Sequence, residues 1–236
     1  MFGEITIEES KYPTLLRKIP DPPKALYYKG SLDPEIFDTC LAVVGSRRVS
    51  SYGKKAIKHI FSTLSKNITI VSGFMRGVDA EAHKEALRLG LKTIAVMPCG
   101  IDQVYPESQE DLYEEIVNSC LILSEYKGSL EPKPWTHPKR NRIVAGLSWA
   151  TLVIESKLDS GSLITANLAH SYGRSVFVVP GSIFDENSEG NIYINNAYAK
   201  GIRSGLQINK YFDRNNDKNS VLDYQNNPIL YTLKSG

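Results

Sequence analysis

The chain has 236 residues, 42% of them hydrophobic and 23% charged, which is long enough for a sizeable core and ordinary for a globular protein. A formal net charge of only +2 excludes a uniformly polycationic binder, so a nucleic-acid partner has to be argued from local clusters. Three cysteines, Cys40, Cys99 and Cys120, form no even disulfide framework and no CxxC pair, which points to a reducing, cytoplasmic compartment. The opening Met1-Phe2-Gly3-Glu4 lacks the basic start of a signal peptide, and no run approaches the roughly 18 apolar residues of a membrane span, so no membrane is expected.

Residues 1–37 contain Pro13, Pro20, Pro22, Pro23 and Pro34 and read as an N-terminal arm and linker, with Ala25-Leu26-Tyr27-Tyr28 as an edge strand before a turn at Gly30. From residue 38 the pattern changes. An apolar run over 40–44 ends in Gly45-Ser46, and Ser50 or Ser51 then caps a helix that gathers Ala56, Ile57, Ile60, Phe61 and Leu64 on one side. The alternation repeats, with strands over 68–72, 92–97, 120–125, 151–156 and 175–179 and helices over 78–89, 109–118, 142–147 and 163–172. Continuous apolar strands separated by helix-length segments predict an α/β fold over 38–212: an extended Rossmann-like, three-layer architecture with a mostly parallel, doubly wound sheet. Residues 213–236 read as a polar tail, with a loop over 213–220 and a short Ile229-Leu230-Tyr231 segment.

In such a fold the loops after the strands share one edge, where a ligand binds. The first of them is Gly45-Ser46-Arg47-Arg48-Val49-Ser50-Ser51, in which small residues admit an anion to a helix N-terminus and two arginines add charge-assisted bonds. A solvated basic turn is the plainer alternative. No GxGxxG follows the strand, which disfavours a nicotinamide or flavin cofactor. The second loop offers Ser72, Arg76 and Asp79 to orient a phosphate or cap the next helix. Asp79 and His83 stand four apart, a spacing that allows them to pair on a helix, but no third ligand accompanies them, so a structural pair or a cap is expected and no metal. Cys99, at the third strand end, reads as a buried turn cysteine, since no histidine or acid is placed to activate it.

The stretch from Lys133 to Arg142 joins Trp135 and His137 to Lys139, Arg140 and Arg142 with no acid. Cations that neutralise phosphate and rings that stack on bases are how single-stranded nucleic acid is held without sequence choice. The alternative is a solvated loop whose tryptophan covers the core. Ser160-Gly161-Ser162 after the fifth strand is either an anion nest or ordinary helix capping.

Taken together these segments resemble the bacterial DNA-processing family called DprA or Smf. The likeness runs from Tyr12 to Ile208 and rests on ordered matches: Gly45-Ser46-Arg47 with Ser51-Tyr52-Gly53, Ser72-Gly73 with Gly77-Val78-Asp79 and Ala82-His83, Tyr105-Pro106, Ser124-Glu125-Tyr126, Pro138 through Ser148, Ser160 through Ala166, and Val179-Pro180-Gly181. The resemblance implies an extended Rossmann core that binds single-stranded DNA, forms homodimers and helps load the RecA recombinase during natural transformation, with no enzymatic step. It further implies that Arg47 and Arg48 form a phosphate pocket extended by Lys139, Arg140 and Arg142. His137 stands where the family commonly has a phenylalanine, Phe74-Met75-Arg76 departs from its usual small residues, and Asn196-Ala197 replaces Gly-Ala. The family's N-terminal helical and C-terminal winged-helix modules are not expected here. A dimer is expected through the last sheet edge, near 175–179. The competing expectations are a nucleotide-binding sensor or a phosphoribohydrolase-like enzyme of the same broad superfamily, whose PGGxGT stretch is missing at 160–165, and a purely protein-binding role.

Overall fold

Alternate residues of each apolar run face opposite sides of one sheet, and both sides are covered, which is why the runs carry so few polar breaks. The computed structural model describes residues 2–218. Its strands are β1 (Phe2–Thr6), β2 (Ala25–Gly30), β3 (Cys40–Val44), β4 (Thr69–Ser72), β5 (Thr93–Gly100), β6 (Leu121–Tyr126), β7 (Ala150–Val153), β8 (Ser175–Val178) and β9 (Lys200–Gly201). The helices are α1 (Thr14–Arg17), α2 (Ser51–Phe61), α3 (Val78–Arg88), α4 (Glu110–Ser119), α5 (Thr136–Leu147), α6 (Gly161–Ser171), α7 (Glu189–Ala197) and α8 (Gly205–Lys218). One sheet runs in the order β1-β2-β6-β5-β4-β3-β7-β8-β9. Strands β3 to β9 are parallel, whereas β1 and β2 join antiparallel.

The period of two is visible in β3. Cys40, Ala42 and Val44 belong to the cluster that includes Leu16 of α1, Ile143 and Leu147 of α5 and Ala166 of α6. Leu41 and Val43 face the other way, with Ile57, Ile60 and Phe61 of α2 and Ile208 and Phe212 of α8. Ala95, Met97 and Ile122 continue that second face beneath Leu112 and Ile116 of α4. The three-layer, doubly wound architecture expected from the sequence is the one that forms.

Several local expectations change. The strand at 25–28 is not an edge: β2 lies between β1 and β6, so residues 2–30 extend the main sheet. The 142–147 helix starts earlier, at Thr136, because once Pro138 sits in the first turn its missing N–H costs nothing. Residues 175–179 are not the sheet edge either, since β9 pairs outside β8. Residues 213–218 continue α8 instead of forming a loop; Ile229-Leu230-Tyr231 lies outside the described residues.

Gly30 closes β2 with φ at 107°, and a Cβ there would stand 2.2 Å from the backbone oxygen of Cys120. Neither backbone can retreat without breaking the β2–β6 pairing. Gly30→Ala is therefore expected to lower stability by about 2–4 kcal/mol, read as a fall in the urea midpoint at constant slope.

Candidate nucleic-acid interface

The strand order reverses between β3 and β7: from β3 the chain moves toward β4, β5 and β6, then returns to β7 on the other side. A doubly wound sheet leaves its ligand crevice at that reversal, outside the carboxyl ends of the strands. A cleft of about 580 Å³ opens there, between the loop after β3, the first turns of α5 and the start of α6.

The loop after β3 is held by a residue that the sequence reading passed over. Glu155 is buried; its carboxylate accepts from Ser50 N at 2.9 Å and from the Ser50 hydroxyl, and its backbone oxygen accepts from Ser46 N at 2.8 Å. Ser50, whose hydroxyl accepts from Gly53 N at 3.1 Å, is the N-cap of α2, so one carboxylate fixes both the turn and the helix start. A Cβ on Gly53 would stand 2.7 Å from that carboxylate. The Ser46 hydroxyl accepts from Arg48 N at 3.1 Å, which curls the turn so that Arg47 and Arg48 both stand exposed. The second loop packs onto the first: Val78 N donates to Ser46 O at 3.0 Å, and Gly77 takes φ 85° because a side chain would strike the Ser46 and Arg47 carbonyls.

The floor comes from α5. Arg140 is buried and donates through Nη1 to Val96 O at 2.8 Å, inside β5, and to Gly73 O, just past the end of β4. Its Nε donates to Asn141 Oδ1 at 3.1 Å, and Asn141 Nδ2 donates to Gly161 O at 3.3 Å, which ties α5 to the first turn of α6. Ser160 caps α6, and its hydroxyl lies 2.8 Å from that of Ser162. The first turn of α6 carries no acid, so its free N–H groups and dipole favour an anion. His137 completes the wall, its ring edge-on to Tyr105 with centroids 6.1 Å apart. Burial, with help from Arg140 and Arg47, pushes its imidazole down to about 4, and its buried Nδ1 has no hydrogen-bond partner.

Of the residues named from sequence, the cleft unites Gly45, Ser46, Arg47, Asp79, His137, Arg140, Ser160, Gly161 and Ser162. Arg48 and Ser51 lie exposed beside it without lining it. The others go elsewhere. Ser72 is fully buried and donates to Val43 O at 2.6 Å. Arg76 donates to the Ser108 hydroxyl at 3.1 Å. Arg142 is a strut: buried, it donates to Asp21 at 3.0 Å and to Glu125, joining α5 to the segment before β2 and to the end of β6. Trp135 is exposed outside the cleft, edge-on to Tyr126 at 5.8 Å, with the Lys139 ammonium 5.9 Å above its ring. The expected Asp79–His83 pair does not form: Asp79 accepts from Met75 N at 3.2 Å, and His83 Nδ1 meets the Thr93 hydroxyl at 2.7 Å. Cys99 is buried, its thiol pushed up to about 12 by that burial, and among the described residues no cluster of three or more His, Cys, Asp or Glu is placed to hold a metal.

Missed from sequence were Asn141, Lys157 and Asp159, which line the cleft, and Glu155, which builds its loop. Asn141 and Asp159 had a readable signal, the first lying inside and the second next to a segment already singled out.

A family model described as DNA recombination-mediator protein A matches residues 4–213. The chain belongs to this family. Across 212 residues it is 42% identical to the DNA processing protein DprA of Streptococcus pneumoniae, covering 90% of this chain and 75% of that one. The crystal structure of the Streptococcus pneumoniae protein superposes with a TM-score of 0.84 over 88% of this chain and 73% of the other, at 40% identity. The DprA of Helicobacter pylori, solved in a study of its single-stranded DNA binding mode, gives a TM-score of 0.80 at 32% identity, covering 91% of this chain and 97% of its own. Protein Smf of Synechocystis is 39% identical over 86% of this chain, which spans 52% of that longer family member.

The half-buried imidazole gives this chain a pH signature. Between the ordinary value of 6.5 and about 4, the unfolded chain binds a proton at position 137 that the folded chain does not, so stability falls on acidification through that window. His137→Phe is expected to flatten this acid-side loss, measured as urea midpoints across the window. Burial pushes His83 down to about 3 in the same way, so the slope shrinks without vanishing.

Proposed function

We propose that this protein is a single-stranded DNA-binding recombination mediator: a cytoplasmic homodimer that protects incoming DNA and assists RecA loading in natural transformation. The observation that carries the binding role is the cleft at the β3/β7 reversal. There an exposed Arg47, the acid-free N-terminus of α6 and the half-buried ring of His137 converge, giving a phosphate a cation and N–H donors and a base a ring to pack on. Family membership, and the binding mode studied in the Helicobacter pylori relative, support the rest of the reading. Arg48 stands at the mouth of the cleft, and Trp135 with Lys139 offers an exposed ring and a cation beyond it, a second place for a base to stack. Arg140 and Arg142 act by holding α5 in place.

Salt titrations of an oligo-dT strand and of a duplex of equal length test this. Wild type is expected to prefer the strand, and excess mononucleotide should not displace it. Arg47→Ala should weaken all strands alike and reduce the slope of log K against log salt by about 0.7. Trp135→Ala should narrow the preference for strand over duplex, because stacking contributes roughly 1–3 kcal/mol per base. Equal strand and duplex affinity, with an unchanged slope in Arg47→Ala, would remove the assignment.

The homodimer reading is supported by the β9 end of the sheet. An edge strand of two residues is preceded in the chain by a loop and helix that expose Ile183, Phe184 and Tyr193 to 78%, 93% and 61%. Apolar groups so exposed beside a short edge suit a self-complementary contact. Sedimentation equilibrium at micromolar concentration should report a dimer that Phe184→Glu converts to monomer; a monomeric wild type, alone and on DNA, would contradict it.

A further inference from the structure

Positive charge is segregated over the helical layer that covers the β3, β4 and β5 side of the sheet. α2 carries Lys54, Lys55 and Lys58 and no acid, whereas α4 carries Glu110, Asp111, Glu114 and Glu115 and no base. α3 packs against both. A net charge of +2 thus conceals a strong gradient across one face.

Between α2 and α3 lies a basin of about 190 Å³ lined by Lys54, Lys58, Lys84 and Arg88. Its two acids are engaged: Glu81 with Lys54 at 3.5 Å, and the largely buried Glu85 with Arg88 at 2.6 Å. Lys58 and Lys84 are exposed and have no ion-pair partner among the described residues. Helix α2 links the basin to the cleft: its N-cap Ser50 comes two residues after Arg48, and Lys54 and Lys58 lie one and two turns further along it. Lys58 lies about 12 Å along the helix axis from that cap.

We propose that the α2–α3 face is a second, sequence-independent contact for nucleic acid, over which a single strand leaving the cleft past Arg48 lays its phosphates on Lys54, Lys58 and Lys84. The inference rests on the reading that the cleft holds single-stranded DNA. Ammonium groups on flexible stems attract a phosphate chain without fixing a register, which suits a trailing strand. The carboxylates of α4 repel the same chain, so the strand has one favoured direction of exit, over α2. Such a contact adds nothing for a ligand that ends inside the cleft. For a longer strand it adds counterion release and lowers the dissociation rate.

The double variant Lys58→Gln/Lys84→Gln separates the two sites, compared with Lys11→Gln/Lys24→Gln, which removes the same charge from the N-terminal segment. Each is titrated with an oligo-dT of about 6 nucleotides, near the smallest site of a strand-binding fold, and with one of about 30. The basin variant is expected to bind the short strand as wild type does, to bind the long strand about tenfold more weakly at low salt, and to lose about 1.4 from the salt slope, 0.7 for each of two phosphate contacts. The control variant should keep the wild-type long-strand slope. A basin variant with wild-type affinity and slope on the long strand overturns the second contact while leaving the cleft intact, and so does an equal loss in the control. If the wild type binds neither length, the cleft reading fails and takes this inference with it. Thermal unfolding at the wild-type temperature keeps each comparison between folded proteins.

Discussion

The functional edge of this sheet depends on one buried guanidinium. Arg140 reaches from α5 under the cleft and donates to Gly73 O, just past the end of β4, and to Val96 O, inside β5. Taking that charge out of water is costly, and burial lowers its affinity for the proton while Asp79 opposes the shift. The compensation is geometric: the carbonyls and Asn141 leave the planar fork a single placement. From that placement follow the position of His137 one turn earlier in α5 and the docking of Asn141 on α6. A Cβ on Gly73 would stand 2.0 Å from Nη1, so the strand end and the guanidinium fit only as a glycine–arginine pair.

Glu155 does for the other wall what Arg140 does for the floor. A carboxylate at the end of β7 organises the turn after β3, across the line where the sheet reverses direction. It is spent on Ser50, which keeps it from opposing an incoming phosphate and leaves Arg47 free to meet one. The cleft is not uniformly basic, since Asp79, Asp159 and Glu189 also line it. Its bias toward anions comes from where donors converge, at the turn after β3 and the start of α6, more than from total charge.

The sheet was legible because burial on both faces makes each strand a continuous apolar run, and the junction residues Gly45, Arg47 and Ser160 were legible because small and cationic residues at a strand end have few other uses. What local pattern cannot report is where a long side chain finds its partner. Lys139, Arg140 and Arg142 look alike in sequence, yet one lies over Trp135, one lies under the cleft and one bridges Asp21 and Glu125. Their roles are set by carbonyls and carboxylates far away in the chain. Glu155 was silent for the same reason, because its partner Ser50 is distant in sequence. Residues 1–37 were read as an arm with an edge strand at 25–28 because β1 is short and the strand that covers β2, β6, is encoded much later.

That late partner has a consequence for how the chain acquires its fold. β2 pairs with β6, so Gly30 and its neighbour across the sheet, Leu121, are separated by about 90 residues of chain. At a synthesis rate of about 5–20 residues per second, the β1–β2 segment leaves the ribosome roughly 5–20 s before its template exists. A two-stranded hairpin is at best marginal alone. Throughout that interval Ile5, Leu26 and Tyr28, buried in the finished protein, have no sheet to cover them. The first residues made are among the last to find their place, and a nascent chain in that state is the form most open to capture by a chaperone.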